Sequence, residues 1–181
     1  MAPWFFGYLG AAGAGSGGAF ELIETARITS SGNVSFTNIP DTYKHLTISF
    51  SASLTVADAR MLLRFNNDGG NNYQETRMLG NTTSISGTTN STISYALFGY
   101  GSGTNGLSNS FAAGEILIPN YSGSQKKTFK TDFGLADNNS WFTGIAGGWW
   151  DSTAAINSIQ LFTAFGNFNT NTRFSLYGWN G

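Results

Sequence analysis

The ten residues His45–Leu54, HLTISFSASL, alternate without a break. Leu46, Ile48, Phe50, Ala52 and Leu54 fall on one side of an extended chain. Thr47, Ser49, Ser51 and Ser53 fall on the other, because successive side chains of a strand point to opposite faces. An amphipathic helix needs an apolar period near 3.6, so this period of two dictates a strand with one face in a core and one in water. Arg60–Asn66 repeats the pattern through Met61, Leu63 and Phe65. Lys127–Leu135 aligns Phe129 with Phe133, although Thr131 between them interrupts the apolar face.

Further strands are expected at Glu21–Ser30, Asn33–Ile39, Tyr73–Leu79, Ser94–Tyr100, Gly114–Pro119, Trp141–Ile145, Ile156–Ala164 and Arg173–Trp179. Between them lie turn residues, most clearly Asn66–Asn72, NNDGGNN, whose Asp-Gly and Gly-Gly pairs permit positive φ. The stretches Gly80–Asn90 and Gly99–Ser110 read as long polar loops, which are functional or mobile when they occur. No helical periodicity of useful length is present. Many short strands without helices predict an all-β fold, a jelly-roll-like antiparallel β-sandwich over residues 20–181.

Composition narrows the function. Gly, Ser, Thr and Asn make up 82 of 181 residues, charged residues only 10%, and aromatics 15%. A disordered chain has the opposite balance, so this one folds. Nine Lys+Arg against ten Asp+Glu leave no basic surplus for a nucleic-acid backbone. Zero Cys and a single His, His45, remove cysteine nucleophiles, thiolate metal sites and multi-histidine sites. Glycine interrupts every apolar run, so no transmembrane helix or membrane insertion is expected. No metal and no cofactor are expected either.

Residues 1–19 stand apart. Trp4, Phe5, Phe6, Tyr8 and Leu9 form an apolar knot, followed by ten residues of only Gly, Ala and Ser. A signal peptide would carry a basic n-region, yet the first basic residue is Arg27. The segment reads instead as an extended anchoring arm whose aromatic knot docks on another subunit. The other readings are a floppy terminus or an arm laid on its own domain.

The residues that could do chemistry have quieter explanations. His45 sits at the mouth of a strand with no nucleophile-elbow pattern near it. The acids are scattered, and Asp41, Asp58, Asp68, Asp137 and Asp151 fall in apparent turns, where capping explains them better than glycoside hydrolysis does. The Asp68 loop has one carboxylate and lacks the spacing of a calcium loop. Lys126, Lys127 and Lys130 read as charges that solubilise a sheet edge. Trp141, Phe142, Trp149 and Trp150, interleaved with glycines, are open to three readings: core, subunit interface or sugar-stacking platform. The chain is therefore expected not to be an enzyme.

Three segments carry a resemblance. They are FELIETARITSSGNVSFTNIPDTYKHLTISF, LLRFNNDGGNNY and AINSIQLFTAFGNFNTNTRFSLYGWN. Their marks are Pro40, Tyr43, Lys44 and Leu46 leading into a long strand, Arg64, Phe65 and Asn66 before an Asp-Gly turn, and a closing Leu176, Tyr177 and Gly178. The chain from about residue 20 to 180 thus resembles small β-sandwich structural proteins of tailed-bacteriophage virions; residues of about 80–150 match only in texture. The resemblance implies a non-enzymatic tail or neck fibre or adaptor component, assembled in the host cytoplasm and carried on the particle, and brings no catalytic residues. It implies a homo-oligomer, a trimer by analogy with fibres, with the arm held by other virion proteins. A capsid decoration protein is the alternative, or a carbohydrate-binding module reading host-surface glycans through Trp149, Trp150 and loop tyrosines such as Tyr100 and Tyr121.

Overall fold

A computed structural model of the chain describes residues 20–56, 60–101, 103, 110–136 and 141–180, apart from the side chain of Trp141. Those residues contain twelve strands and no helix. They are β1 (Glu21–Arg27), β2 (Val34–Phe36), β3 (His45–Ala52), β4 (Arg60–Phe65), β5 (Tyr73–Gly80), β6 (Ile85–Ile93), β7 (Ala96–Tyr100), β8 (Ala112–Pro119), β9 (Lys127–Ala136), β10 (Trp141–Trp150), β11 (Ile159–Thr163) and β12 (Arg173–Trp179).

The strands form an eight-stranded sheet, β1-β12-β3-β8-β9-β10-β5-β6, and a four-stranded sheet, β2-β11-β4-β7. Every pairing is antiparallel. The nesting is that of a jelly roll: the first strand pairs with the last, the second with the second-last, and β3 and β4 close on the same two partners. The hairpins β5–β6 and β9–β10 widen one sheet of that roll.

Alternation places the core where the sequence predicts. Leu46, Ile48, Phe50 and Ala52 of β3 are buried, and they face Met61, Leu63 and Phe65 of β4 across the sandwich core. Phe174, Leu176, Ile116 and Ile118 extend it. The β4–β5 corner differs in detail from expectation. Its positive φ values belong to Asn66 and Asn67, at 52° and 55°, rather than to the glycines; asparagine tolerates that region because its short amide bonds locally.

The buried position of β7 explains the polar groups of the core. This strand is the last of the smaller sheet, yet Ala96, Leu97 and Phe98 are fully buried over the larger one. Its outer backbone groups have neither a further strand nor water, and a buried amide left unbonded is costly. The larger sheet supplies the partners. Glu75 of β5 accepts the Leu97 N–H at 2.6 Å, and Thr131 of β9 donates its hydroxyl to the Phe98 carbonyl at 2.7 Å. Thr131 thus sits on the apolar face of β9 as a satisfied bond between sheets.

Two expectations are corrected. The stretch Gly80–Asn90 is largely not loop: Gly80 ends β5, and from Ile85 the chain enters β6, ISGTTNSTI, whose polar composition hides a strand with both faces near water. Lys127 does not solubilise an edge, since β9 lies inside the sheet and Lys127 is 1% exposed. Its ammonium donates to the carbonyls of Gly123 at 2.7 Å, Gln125 at 2.5 Å and Thr153 at 3.3 Å. Burial pulls its pKa below the ordinary lysine value.

Candidate functional site

The smaller sheet covers one face of the larger, and the other face is open. Side chains pointing outward from β12, β3, β8, β9, β10 and β5 form rows fixed by the register. One row runs Tyr177, Thr47, Leu117, Lys130, Gly147. The next runs Ser175, Ser49, Glu115, Asp132, Ile145, Met78. A sheet face in water ordinarily carries polar residues, yet Met78 and Ile145 are 53% and 51% exposed.

Toward β12 the face is hollowed into a groove of about 540 Å³. Phe20, Tyr177 and Trp179 line its aromatic end; Glu115, Lys130 and Asp132 stand on the floor. The Trp179 indole is fixed, its N–H donating to the Thr47 hydroxyl at 3.2 Å and its ring lying 5.4 Å from Phe20 and 4.3 Å from His45. Glu115 and Asp132 are direct cross-strand partners. The register therefore brings together two acids that look scattered in the sequence.

Residues singled out from the sequence disperse in the fold. Trp149 and Trp150 are consecutive in β10, so they face opposite ways. Trp149 is 39% exposed on the open face. Trp150 is buried against Phe65 and Tyr73, with its indole N–H donating to Asp68 at 2.6 Å. A platform using both is excluded, and the side chain of Trp141 lies outside the described residues. Tyr121 offers no ring to a sugar either, being fully buried with its hydroxyl donating to the Pro40 carbonyl. Tyr100 is half-buried against Phe133. Trp4, Phe5, Phe6, Tyr8 and Leu9, together with Asp58 and Asp137, lie outside the described residues.

His45 begins β3, and its Nδ1 accepts the Asn120 N–H at 3.3 Å. Asp68 ties the β4–β5 corner, accepting from Gly70 N at 2.8 Å, Asn72 Nδ2 at 2.9 Å and Trp150. Burial pushes its pKa up, but those bonds and the charge of Arg64 outweigh burial and hold it below 3.8. Lys126 pairs with Asp151 at 2.5 Å in the open. Among the described residues no group of three or more His, Asp or Glu side chains could hold a metal ion, and no helix is long and apolar enough to cross a membrane.

The four sheet edges form the second functional feature. β1 carries Glu21, Glu24 and Arg27 and an irregularity between Leu22 and Glu24, all of which discourage pairing. β2 is three residues long, and β7 is buried and bonded across the sandwich. β6 shares one of these protections, an irregularity in its pairing with β5 between Asn90 and Ile93, where Thr92 has a φ of 59°, and lacks the others. Its nine residues include no charge and no proline, almost all are exposed, and β5 is its sole partner among the described strands.

Comparison with known proteins finds no matching family model, no matching curated protein and no matching solved structure.

Proposed function

We propose that the chain is a non-enzymatic structural protein of a tailed-bacteriophage virion, a tail or neck fibre or adaptor component attached through residues 1–19. The observation that carries this reading is the exposed, uncharged β6 edge. An exposed, uncharged strand is a template for pairing with another chain, and an unassembled protein would have reason to blunt it. The open face beside it, with Met78 and Ile145 in water, fits the same purpose. Jelly rolls recur in viral capsid and lectin domains, a fold-level analogy that agrees with the sequence resemblance.

Energetics shape the proposed attachment. Burying five large apolar side chains at about 1.5–3 kcal/mol each provides on the order of 10 kcal/mol. Ordering nineteen residues at about 1–2 kcal/mol each offsets it. The arm therefore works in several copies at once, or with backbone pairing to its host, and a homo-oligomer supplies those copies.

The test is particle incorporation of a protein lacking residues 1–19. The truncated chain should keep its sheet spectrum and fail to join the particle; incorporation at full occupancy overturns the reading. Cross-linking from Trp4–Leu9 places the protein. A portal, neck or tail contact is expected, and a capsid contact would make it a decoration protein.

A further inference from the structure

We propose that the groove between Trp179 and Asp132, on the open face of the larger sheet, binds a neutral oligosaccharide. Its volume, about 540 Å³, lies in the range of ligand sites, and it joins a mainly apolar wall to a few convergent polar groups. Phe20, Tyr177 and Trp179 form the wall, with the indole locked by its bond to Thr47. Such rings offer flat apolar surfaces matching the C–H faces of a pyranose.

The floor sets the charge of the ligand. Among the described residues, the side chains of Glu115, Asp132 and Lys130 have no hydrogen-bond or ion-pair partner. Like charges directly opposite one another on a sheet are destabilising, so the fold carries the Glu115–Asp132 pair at a cost that bound hydroxyl donors would offset. Two carboxylates repel a phosphate, a sulfate or a sialic acid, and Lys130 opposes a cation. A hydroxyl-rich neutral molecule satisfies all three, donating to the carboxylates and accepting from the ammonium.

Beyond Lys130 a second hollow of about 370 Å³ continues the groove over Gly147 toward Ile145 and Met78, which gives space for several sugar units. The proposed action is binding without cleavage. Glu115 and Asp132 are both exposed, whereas a glycosidase keeps one carboxyl protonated by enclosing it.

The full chain is screened on an array of neutral, sialylated and sulfated oligosaccharides, and neutral hits are titrated calorimetrically. Wild type is expected to bind neutral glycans and return them uncut. Tyr177→Ala and Glu115→Gln should each weaken binding about tenfold, while Phe165→Ser, on an exposed loop, leaves it unchanged. Glu115→Gln is the decisive variant because it should lose sugar while gaining thermal stability from the relieved repulsion. Failure of the wild type to bind neutral glycans at millimolar concentration, a preference for acidic ones, shortened products, or undiminished binding by Glu115→Gln would each overturn the proposal.

Discussion

Replacing Glu75 by alanine tests the claim that the smaller sheet is held to the larger by polar bonds at its buried edge. The Glu75 side chain is 1% exposed; its Oε2 accepts the Leu97 N–H at 2.6 Å and its Oε1 accepts from Arg77 and Asn90, both at 3.0 Å. The substitution leaves the Leu97 amide buried without a partner, which costs about 1–3 kcal/mol. It also strips the counter-charge from Arg77, whose Nε already lacks a partner and whose side chain is 12% exposed. Breaking a buried pair on one side costs about 3–5 kcal/mol, and the two terms overlap, so the expected loss is about 4 kcal/mol. With a urea m-value of about 2.5 kcal/mol/M, the unfolding midpoint should fall by about 1.5 M. Glu75→Gln keeps an oxygen for one donor but turns an amide toward the others, and should lose about 2 kcal/mol. The assay is equilibrium urea unfolding followed by tryptophan fluorescence. A Glu75→Ala loss below about 1 kcal/mol would refute the argument that β7 depends on this carboxylate.

Four further outcomes follow from single positions. Asp68→Asn should cost about 1.5 kcal/mol near neutral pH by weakening bonds to a charged acceptor. Because the folded pKa lies below the ordinary 3.8, the wild-type margin is complete above that value. It disappears as pH falls through the folded pKa, which melting curves at neutral and strongly acid pH will show. For Lys127 the sign is reversed: its folded pKa is depressed, so the cost of keeping it charged is relieved as pH rises toward 10.5. Wild type should therefore gain stability relative to Lys127→Met between neutral and alkaline pH, read from paired urea midpoints. Gly114→Ala would set a Cβ 2.1 Å from the Asp132 carbonyl and 2.7 Å from Phe50. Backbone cannot yield there, so a loss of at least about 3 kcal/mol or insoluble protein is expected. Gly87→Ala, with its nearest atom at 3.9 Å, should stay within about 0.5 kcal/mol.

Local structure was legible because it depends on the nearest neighbours in the chain. The alternation through Leu46, Ile48 and Phe50 locates β3, and Arg173–Trp179 coincides with β12. What failed depends on backbone partners that apolar alternation does not register. β6 reads as loop because its Ser, Thr and Asn carry no apolar alternation; it is a strand because β5 offers it a ladder. Lys127 reads as a surface charge because nothing nearby announces that carbonyls from residues 123, 125 and 153 will surround it. Thr131 reads as a defect until the bare edge of β7 is seen above it.

The groove was hidden for a similar reason. Thr47 and Ser49 are correctly placed on the polar face of β3, and the alternation of β9 puts Lys130 and Asp132 opposite its apolar side. Only the cross-strand register makes Tyr177, Thr47, Leu117 and Lys130 neighbours. Glu115 and Asp132, seventeen positions apart by subtraction, become direct partners through β8 and β9. Trp149 and Trp150 show the converse, since adjacency in sequence guarantees that the two rings cannot share a face of a strand.

The most direct test of an assembly role is the solution mass of the full chain beside a Thr88→Lys/Ser91→Lys variant. Those positions are exposed on β6, and edge lysines oppose pairing between chains. Light scattering across a concentration series should show wild type forming species larger than one chain, while the folded double variant stays at the mass of one. A wild type that remains a single chain at every concentration, or a double variant that associates equally well, would contradict the account.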